Sequence, residues 1–330
     1  MSHWLITGGC GFVGRNLIDQ LLTRPEVTIR VVDNLSVGTR QELAAIHSYN
    51  ERTLQELAQP SASRLELVVG DIKDDGLMSI VVRGADVVVH LAANSGVAAS
   101  VADPRGDCMN NVVGTLNCLE ACRQHGIRRF VFASSGAPIG NCEPPLHEEM
   151  AAHPVSPYGA SKLAGEAYCS VYQCSFGIET VALRFGNCYG PFSSHKSSVV
   201  AKFIRQALAQ EPWEIFGDGQ QTRDFIYVQD ITDAIIRSAT VEGIGGEVFQ
   251  IATNSETTVL ELAARLANIL ANHRVAVAGT RKANARVGDV MRSYSDTRKA
   301  RVRLGWVPRV PLEEGLDRTV QWFLQARSSG

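Results

Sequence analysis

Tyr158 and Lys162 stand four residues apart at the start of a stretch whose apolar residues have helical spacing. Residues with this separation share one face of a helix, although such a pair is also common on solvated helix faces. An ammonium group beside a phenol stabilises the phenolate, so the pair can provide a general base. Ser134 and Ser135 end the preceding predicted strand, at the edge where a parallel sheet presents its reactive groups. A hydroxyl there can share a proton with Tyr158, and the four residues together predict a proton-transfer site.

A glycine-rich turn follows the first predicted strand and opens the first predicted helix. Gly9, Gly11 and Gly14 fit the G-x-G-x-x-G pattern, in which residues without Cβ let the backbone approach a pyrophosphate at a helix N-terminus. Asp33 ends the second predicted strand, where a carboxylate accepts hydrogen bonds from an adenosine ribose and repels a 2′-phosphate. The pattern therefore predicts a dinucleotide site that favours NAD over NADP. A turn or capping role is the alternative for Asp33.

These residues require a scaffold in which strands and helices alternate. We predict strands over Trp4–Thr7, Ile29–Asp33, Leu65–Val69, Asp86–Ala92 and Arg129–Ala133. We predict helices near Gly14–Leu22, Val112–His125, Tyr158–Phe176, Val199–Gln210, Thr258–Leu270 and Leu312–Ala326. The valine run in the fourth strand is typical of a strand buried on both faces. The alternation predicts an α/β fold with a doubly wound parallel sheet of the Rossmann type.

The length and composition set further limits. A chain of 330 residues favours about two domains. Because the regular alternation of predicted strands and helices ends after about residue 190, we expect a dinucleotide-binding domain over 1–186. A smaller α/β substrate domain is expected over 187–330, with some of the chain crossing back.

The charge, hydropathy and cysteine patterns exclude several classes of protein. The 32 Lys+Arg balance 34 Asp+Glu, which argues against a generally basic nucleic-acid binder. We expect no membrane association, because no apolar run reaches the roughly 20 residues that span a bilayer. The eight cysteines form no C-x-x-C pair and no Cys/His metal pattern. Cys118 and Cys122 lie four apart in a predicted helix, where we expect buried thiols rather than a zinc site. We therefore expect a cytoplasmic protein and no metal site.

The motifs in combination resemble those of the extended short-chain dehydrogenases/reductases, in the nucleotide-sugar epimerase/dehydratase group. Within that group the pattern is most similar to that of the 4-epimerases of UDP-glucose and UDP-N-acetylglucosamine. The resemblance covers nearly the whole chain. The segments that carry it are Thr7–Gly14, Asp33–Ser36, Gly70–Ile72, His90–Ala93, Asn111–Thr115, Ser134 with Ser135, Tyr158–Lys162, Arg184–Pro191, Asp218–Asp224, and Gly288 with Asp289.

The resemblance implies a role for each matching residue. The catalytic trio is expected to be Ser135, Tyr158 and Lys162. The residues expected to hold NAD are Gly8, Gly11, Phe12, Val13, Gly14, Asp33, Asn34, Ser36, Gly38, Asp71, Ile72, Leu91, Ala92, Ala93, Asn110, Ala133, Tyr158, Lys162 and Phe185. The residues expected to bind a UDP-sugar are Ser135, Gly136, Asn187, Val199, Val200, Phe203, Phe216, Arg223, Arg286 and Ser293.

Within the substrate set, three residues are expected at the diphosphate and one at the base. Asn187, Arg223 and Arg286 match the diphosphate-contacting residues of the family, and guanidinium groups suit phosphate oxygens. Phe216 matches the position beside the uracil. Without the resemblance, a surface ion pair would be the preferred interpretation of Arg223.

The family supports several reactions, all of which begin by oxidising a sugar carbinol to a ketone while hydride passes to NAD. In the 4,6-dehydratases an Asp-Glu pair follows the catalytic hydroxyl residue, and UDP-glucuronate decarboxylases usually carry a glutamate near this point. Here Gly136 and Ala137 follow Ser135, and neither transfers protons. We therefore expect C4 epimerisation of a UDP-hexose. The candidate substrates are UDP-glucose or UDP-galactose, UDP-N-acetylglucosamine or UDP-N-acetylgalactosamine, and a UDP-uronate. The alternative is a UDP-sugar lyase.

Three positions bear on substrate choice. Pro138 and Ile139 replace the Val-Tyr of most family members, either with an effect on the sugar site or as a packing change. Ser293 falls where glucose-restricted epimerases place a bulky tyrosine, so it either leaves room for a larger substituent or is an ordinary surface serine. The resemblance also implies a homodimer formed through the helices predicted over 112–125 and 158–176.

Overall fold

The computed structural model describes residues 2–59, 61–284 and 290–328. In these residues the strands are β1 Ser2–Thr7, β2 Val27–Asp33, β3 Asn50–Glu51, β4 Leu65–Val69, β5 Val87–His90, β6 Arg129–Ser135, β7 Glu179–Phe185, β8 Asn187–Tyr189, β9 Trp213–Phe216, β10 Thr222–Arg223, β11 Phe225–Tyr227, β12 Glu247–Ile251, β13 Thr257–Thr258 and β14 Thr280–Ala283. An eight-stranded sheet has the order β12-β7-β6-β5-β1-β2-β4-β3. All of its strand pairs are parallel. The short pairs β10-β13, β8-β11 and β9-β14 lie outside this sheet.

Eleven α-helices of the described residues cover the sheet and build the second region. They are α1 Phe12–Leu22, α2 Arg40–Ala44, α3 Asp75–Val81, α4 Val97–Ala102, α5 Pro104–Cys108, α6 Gly114–Gln124, α7 Pro157–Phe176, α8 Val199–Leu208, α9 Val228–Thr240, α10 Val259–Asn272 and α11 Leu312–Ser328. A π-helical turn, Met109–Val113, joins α5 to α6 without a break.

The sheet buries both of its faces. Successive strand residues point to opposite sides, so Leu5 packs in one apolar cluster and Ile6 in another. The Ile6 side is covered by α1 and α9, and the Leu5 side by α3, α6 and α7. This arrangement explains the unbroken apolar strands and confirms the doubly wound parallel sheet.

A third apolar cluster lies in the second half of the chain, between α8, α10, α11 and β9. At its centre the Phe203 ring stacks on Trp213, with centroids 4.7 Å apart. The second half also contributes to the main sheet, because β12 pairs with β7 and α9 packs against α1. The domain boundary after residue 186 stays a prediction.

Most predicted elements are present, with ends that differ by a few residues. The strand predicted over Asp86–Ala92 is shorter, because the chain leaves the sheet after His90. The helix predicted over Val112–His125 instead continues back through the π-turn to α5. The predictions omitted the strands β3 and β7 to β14 and the helices α2 to α5 and α9.

The order of the strands places the reactive segments together. β1 pairs with β2 on one side and with β5 on the other, so the strand order reverses at β1. Thr7 is paired with both Val32 and His90 at the ends of these strands. Open α/β sheets bind ligands at this kind of reversal, beyond the carboxyl ends of the strands.

Candidate active site

The turn after β1 depends on glycine at several points. Gly8 has φ +70°, and a Cβ there would lie 2.7 Å from the Ala92 backbone nitrogen. A Cβ on Gly14 would lie 2.6 Å from the Gly8 carbonyl oxygen, so α1 begins in direct contact with the turn. Gly11 is the N-cap of α1 and offers no capping side chain. The first amides of the helix have no carbonyl partner within the helix, and this is the geometry that holds a pyrophosphate.

The first helical amides belong to Phe12 and Val13, which the sequence predicts at the cofactor. A loop from the second half of the chain contacts the start of α1: Lys196 Nζ lies 4.9 Å from the Phe12 ring centroid. In the same loop His195 Nε2 lies 3.1 Å from Glu42. These contacts place the loop against the glycine turn.

Asp33 ties the glycine turn to the loop that follows β2. Its Oδ2 accepts a 2.9 Å hydrogen bond from the Cys10 amide, and Oδ1 accepts one of 2.8 Å from the Leu35 amide. Burial raises the pKa of this carboxyl, and the two amides oppose that effect. Gly38 approaches the turn so closely that a Cβ would lie 2.0 Å from the Cys10 carbonyl oxygen. Asp33 therefore has the turn role that sequence reasoning left open, and its contact with a ribose stays a prediction.

The other predicted cofactor residues lie at or just beyond the carboxyl ends of neighbouring strands, or on the adjoining helix. Thr7 joins two of these segments, because its hydroxyl accepts a 3.2 Å bond from the Ala92 amide and lies 2.7 Å from His90 Nδ1. Asn34 Nδ2 donates to Asp71 Oδ2 at 3.2 Å. The set comprises Asn34 and Ser36 after β2, Asp71 and Ile72 after β4, Leu91, Ala92 and Ala93 after β5, Asn110 in the π-turn, Ala133 in β6 and Phe185 in β7. They surround the glycine turn, so the site fits a dinucleotide.

The Tyr158 and Ser135 side chains face each other, and Ser135 lowers the pKa of the Tyr158 phenol. Ser135 is the last residue of β6, and Tyr158 lies in the first turn of α7, which Ser156 caps by accepting from the Gly159 amide at 3.1 Å. Burial raises the pKa of Tyr158, and the neighbouring Ser135 hydroxyl opposes this effect. The serine therefore stabilises the phenolate form.

Lys162 lies below Tyr158 on the same helix face and is buried. Its Nζ donates a 2.8 Å hydrogen bond to the Ala133 carbonyl oxygen and lies 4.8 Å from the Phe132 ring centroid. Burial lowers the pKa of Lys162 to about 8. The structure thus brings the predicted trio together, with a lysine that changes charge near neutral pH.

Ser134 points away from this trio. Its hydroxyl donates to Glu166 Oε1 at 2.5 Å, and Glu166 also receives two hydrogen bonds from Arg184, at 2.8 and 2.7 Å. All three residues are buried. Strand alternation separates the two serines, so the hydroxyl beside Tyr158 is that of Ser135.

The predicted substrate residues gather mainly at a second place, a cavity between α8, β8, β9 and β10. Phe216 lies on its wall, with Lys202 Nζ 4.8 Å from the ring centroid. Lys202 also pairs with Glu214 at 2.6 Å. The predicted residues that line the cavity are Asn187, Val199, Val200, Phe203, Phe216 and Arg223.

The remaining predicted substrate residues lie elsewhere. Ser135 and Gly136 belong to the trio region, and a Cβ on Gly136 would meet open space. The Ser293 amide lies 3.4 Å from Thr222 Oγ1, and its side chain is not among those lining the cavity. Ile139 is fully buried, which supports a packing interpretation of its unusual sequence. Arg286 lies outside the described residues, as do Gly288 and Asp289.

Arg223 is held on the cavity wall by backbone carbonyls. Its Nη1 donates to Thr222 at 2.6 Å and to Val290 at 2.7 Å. The next residue, Asp224, is buried and accepts from the Thr253 amide and hydroxyl at 2.7 and 2.6 Å. These bonds fix the short strand that carries the guanidinium.

Sequence reasoning missed several residues at both places. Lys202 and Glu214 line the cavity, and the helical spacing of Lys202 from Val199 was the available signal. Near the trio, sequence reasoning named Asn111 only as part of a family-like segment and did not name Asp107. Asn111 donates to Ser161 Oγ at 3.2 Å and to Asp107 Oδ1 at 2.9 Å.

No helix among the described residues has the length and apolar character needed to cross a bilayer.

The sequence profile of the NAD dependent epimerase/dehydratase family matches residues 4–252. A UDP-glucose 4-epimerase of Mycolicibacterium smegmatis is 36% identical over 331 aligned positions, covering 97% of each chain. A dTDP-glucose 4,6-dehydratase of Xanthomonas campestris pv. campestris is 32% identical, covering 98% of this chain and 93% of that protein.

A solved structure gives the same result for the fold. The UDP-glucose 4-epimerase of Thermotoga maritima, determined with UDP-glucose, superimposes with a TM-score of 0.86 at 33% identity, covering 98% of this chain and 99% of that one. NAD is thus the cofactor of the family as well as the ligand that the glycine turn fits. The chain belongs to the NAD-dependent epimerase/dehydratase family.

Proposed function

We propose that the protein is an NAD-dependent 4-epimerase of a UDP-hexose. The observation that carries the proposal is the trio of Ser135, Tyr158 and Lys162 at the carboxyl edge of the sheet, followed directly by Gly136 and Ala137. The trio removes a proton from a carbinol, and the two residues after it add no ionisable group. The similarity to UDP-glucose 4-epimerases supports the same reaction.

The proton transfers fall to Tyr158 and Ser135. With the sugar C4 hydroxyl beside them, Ser135 passes its proton toward Tyr158 or holds the hydroxyl in place, and Tyr158 accepts the proton. The Lys162 ammonium stabilises the Tyr158 phenolate that accepts this proton. After the keto-sugar rotates in the site, Tyr158 returns the proton to the oxygen on C4.

NAD, when bound, supplies the hydride acceptor and then the hydride donor for C4. The turn after β1 and the amides at the start of α1 would hold its pyrophosphate. Asp33 orients the turn by accepting a hydrogen bond from the Cys10 amide. Lys162 donates to the Ala133 carbonyl oxygen, close in the chain to the two serines that end β6. The hydride leaves and re-enters the same carbon, so no second substrate is needed.

The cavity beside Phe216 is proposed to bind the nucleotide part of the substrate. An aromatic face and apolar side chains suit a base, and Arg223 with Asn187 suits the diphosphate. Arg286 is proposed as a second diphosphate ligand from the family resemblance. A large N-acetyl group or a uronate is compatible with the small side chain of Ser293, so the sugar itself is left among the three classes predicted above.

The second candidate is a UDP-sugar lyase, a dehydratase or decarboxylase. The similarity to a dTDP-glucose 4,6-dehydratase favours it. Elimination of water requires an added acid and base, and Gly136 and Ala137 provide neither. We rank it second for this reason.

The assembly and location of the protein are also proposed. The family resemblance supports a homodimer through α6 and α7. The eight cysteines are all free, which supports a reducing compartment such as the cytoplasm.

The proposal is tested by incubating the purified protein separately with UDP-glucose, UDP-N-acetylglucosamine and UDP-glucuronate. Products are resolved by anion-exchange chromatography and identified by NMR. We expect the 4-epimer of at least one of these substrates to form with no net conversion of NAD to NADH. Carbon dioxide release or a stable 4-keto-6-deoxy product would support the lyase, and the absence of any product would contradict both.

A further inference from the structure

Asp107 is a buried carboxyl beside the catalytic trio. It lies on α5, whose N-terminus is capped by Asp103, and it is only 2% exposed. Its Oδ1 accepts a 2.9 Å hydrogen bond from Asn111 Nδ2. Its Oδ2 is buried as well and receives no hydrogen bond from the described residues. A buried carboxylate with a free oxygen has a large electrostatic effect on its neighbours, because little water screens it.

A chain of hydrogen bonds connects Asp107 to the catalytic helix. Asn111 Nδ2 also donates to Ser161 Oγ at 3.2 Å, and the Ser161 hydroxyl donates to the Tyr158 carbonyl oxygen at 3.0 Å. Ser161 precedes Lys162 in α7. Asp107 is therefore fixed against the turn of α7 that carries both Tyr158 and Lys162.

The other groups around Lys162 do not balance its charge. No carboxylate of residues 2–59, 61–284 and 290–328 forms an ion pair with its Nζ, which bonds to a backbone carbonyl. Glu166 on α7 is already paired with Arg184 of β7. His90 of β5 is neutral at physiological pH because burial lowers its pKa to about 3. Burial raises the pKa of Cys169, which keeps that thiol neutral.

We propose that Asp107 is a positioning residue of the catalytic site, whose negative charge holds Lys162 in its ammonium form and sets the pH range over which the Tyr158–Lys162 pair works. It acts through these two residues and takes no part in the proton transfer itself.

The sign of the effect follows from Coulomb's law. A negative charge favours the protonated form of any neighbour, so Asp107 raises the pKa of both Lys162 and Tyr158. For Lys162 this opposes the larger effect of burial. Replacing the carboxyl by an amide should therefore lower both pKa values, by about one pH unit for a charge several ångströms away.

The test compares Asp107→Asn with Asp103→Asn in the NAD-loaded protein. Both changes remove one negative charge from α5, but Asp103 is exposed and its amide still accepts the capping bond from Gly106. Tyrosinate absorbance is followed against pH in each protein and in the same protein with Tyr158→Phe. The difference isolates Tyr158 from the other tyrosines.

We expect Tyr158 to ionise about one pH unit lower in the Asp107→Asn protein and to be unmoved by Asp103→Asn. An unchanged Tyr158 titration in folded, NAD-retaining Asp107→Asn protein would overturn the proposal. Should that variant lose NAD, Asp107→Ser removes the same charge with a smaller side chain, and the same two outcomes apply.

A second measurement rests on the proposed function. In the pH profile of kcat/KM, the alkaline limb assigned to Lys162 should shift to lower pH in Asp107→Asn. A purely structural role would lower the rate without moving this limb, which would overturn the proposal. Because the absorbance titration needs no turnover, it decides the role of Asp107 even if the substrate proposal fails.

Discussion

Lys162 Nζ lies 2.8 Å from the backbone carbonyl oxygen of Ala133, on the same strand as Ser135. This hydrogen bond fixes the position of α7 along the direction of β6. Because Tyr158 lies one helical turn before Lys162, the same bond sets the tyrosine beside Ser135. The position of the base thus depends on the packing of a helix on a strand rather than on a loop.

Removal of the Tyr158 hydroxyl tests the general base directly. We expect Tyr158→Phe to lower kcat by about 10²–10⁴-fold while NAD remains bound. The phenyl ring fills nearly the same space but has no hydroxyl to accept or donate a proton. Tyr168→Phe on the same helix is the matched control and should keep nearly full activity. Turnover of Tyr158→Phe at the wild-type rate would remove the residue from its proposed role.

The alkaline limb of activity should report Lys162. Burial lowers its pKa to about 8, so the ammonium is present below that pH and lost above it. We therefore expect kcat/KM to fall as the pH rises through about 8. Samples held at high pH and assayed at neutral pH control for unfolding. Activity that stays level well into the alkaline range would contradict this assignment.

The glycine turn gives a prediction about NAD. A Cβ on Gly14 would lie 2.6 Å from the Gly8 carbonyl oxygen, so Gly14→Ala should displace the turn and release the cofactor. Gly76→Ala is the control, because that glycine is exposed in α3 and its Cβ would lie 3.4 Å from Asp74 Oδ1. NAD content is measured after denaturation of the purified proteins. Equal NAD content in the two variants would show that the close contact is unimportant.

The buried ion pair of Glu166 and Arg184 gives a prediction about stability. Glu166→Gln leaves the Arg184 guanidinium buried without its counter-charge and should cost about 3–5 kcal/mol. The exposed pair of Glu314 and Arg318 is the control, and Glu314→Gln should cost less than about 1 kcal/mol. Urea unfolding followed by circular dichroism measures both. A cost for Glu166→Gln as small as that of the control would contradict the buried-pair argument.

Local sequence patterns predicted the sheet, the glycine turn and the trio because each depends on neighbours in the chain. The strand Leu65–Val69 and the placement of Tyr158 and Lys162 on one helix both follow from periodicity. The choice between Ser134 and Ser135 came from resemblance, and the structure explains it by the alternation of β6, which directs Ser134 to Glu166.

Contacts between distant segments were beyond that reasoning. Asp107 carries no motif, and its place beside α7 depends on how α5 and the π-turn pack on that helix. The return of β12 to the main sheet likewise depends on pairing with β7, which no local pattern encodes. Lys202 enters the cavity through the packing of α8.

The central claim is that hydride leaves C4 of the sugar and returns to C4 of the same molecule. It is tested most directly with UDP-glucose, or whichever of the three UDP-sugars turns over, carrying deuterium at C4, with the product examined by NMR and mass spectrometry. We predict a 4-epimer that retains its deuterium at C4, with no solvent hydrogen incorporated at that carbon. Deuterium found at C6, or a product that has lost water or carbon dioxide, would contradict the account and assign the protein to the lyases.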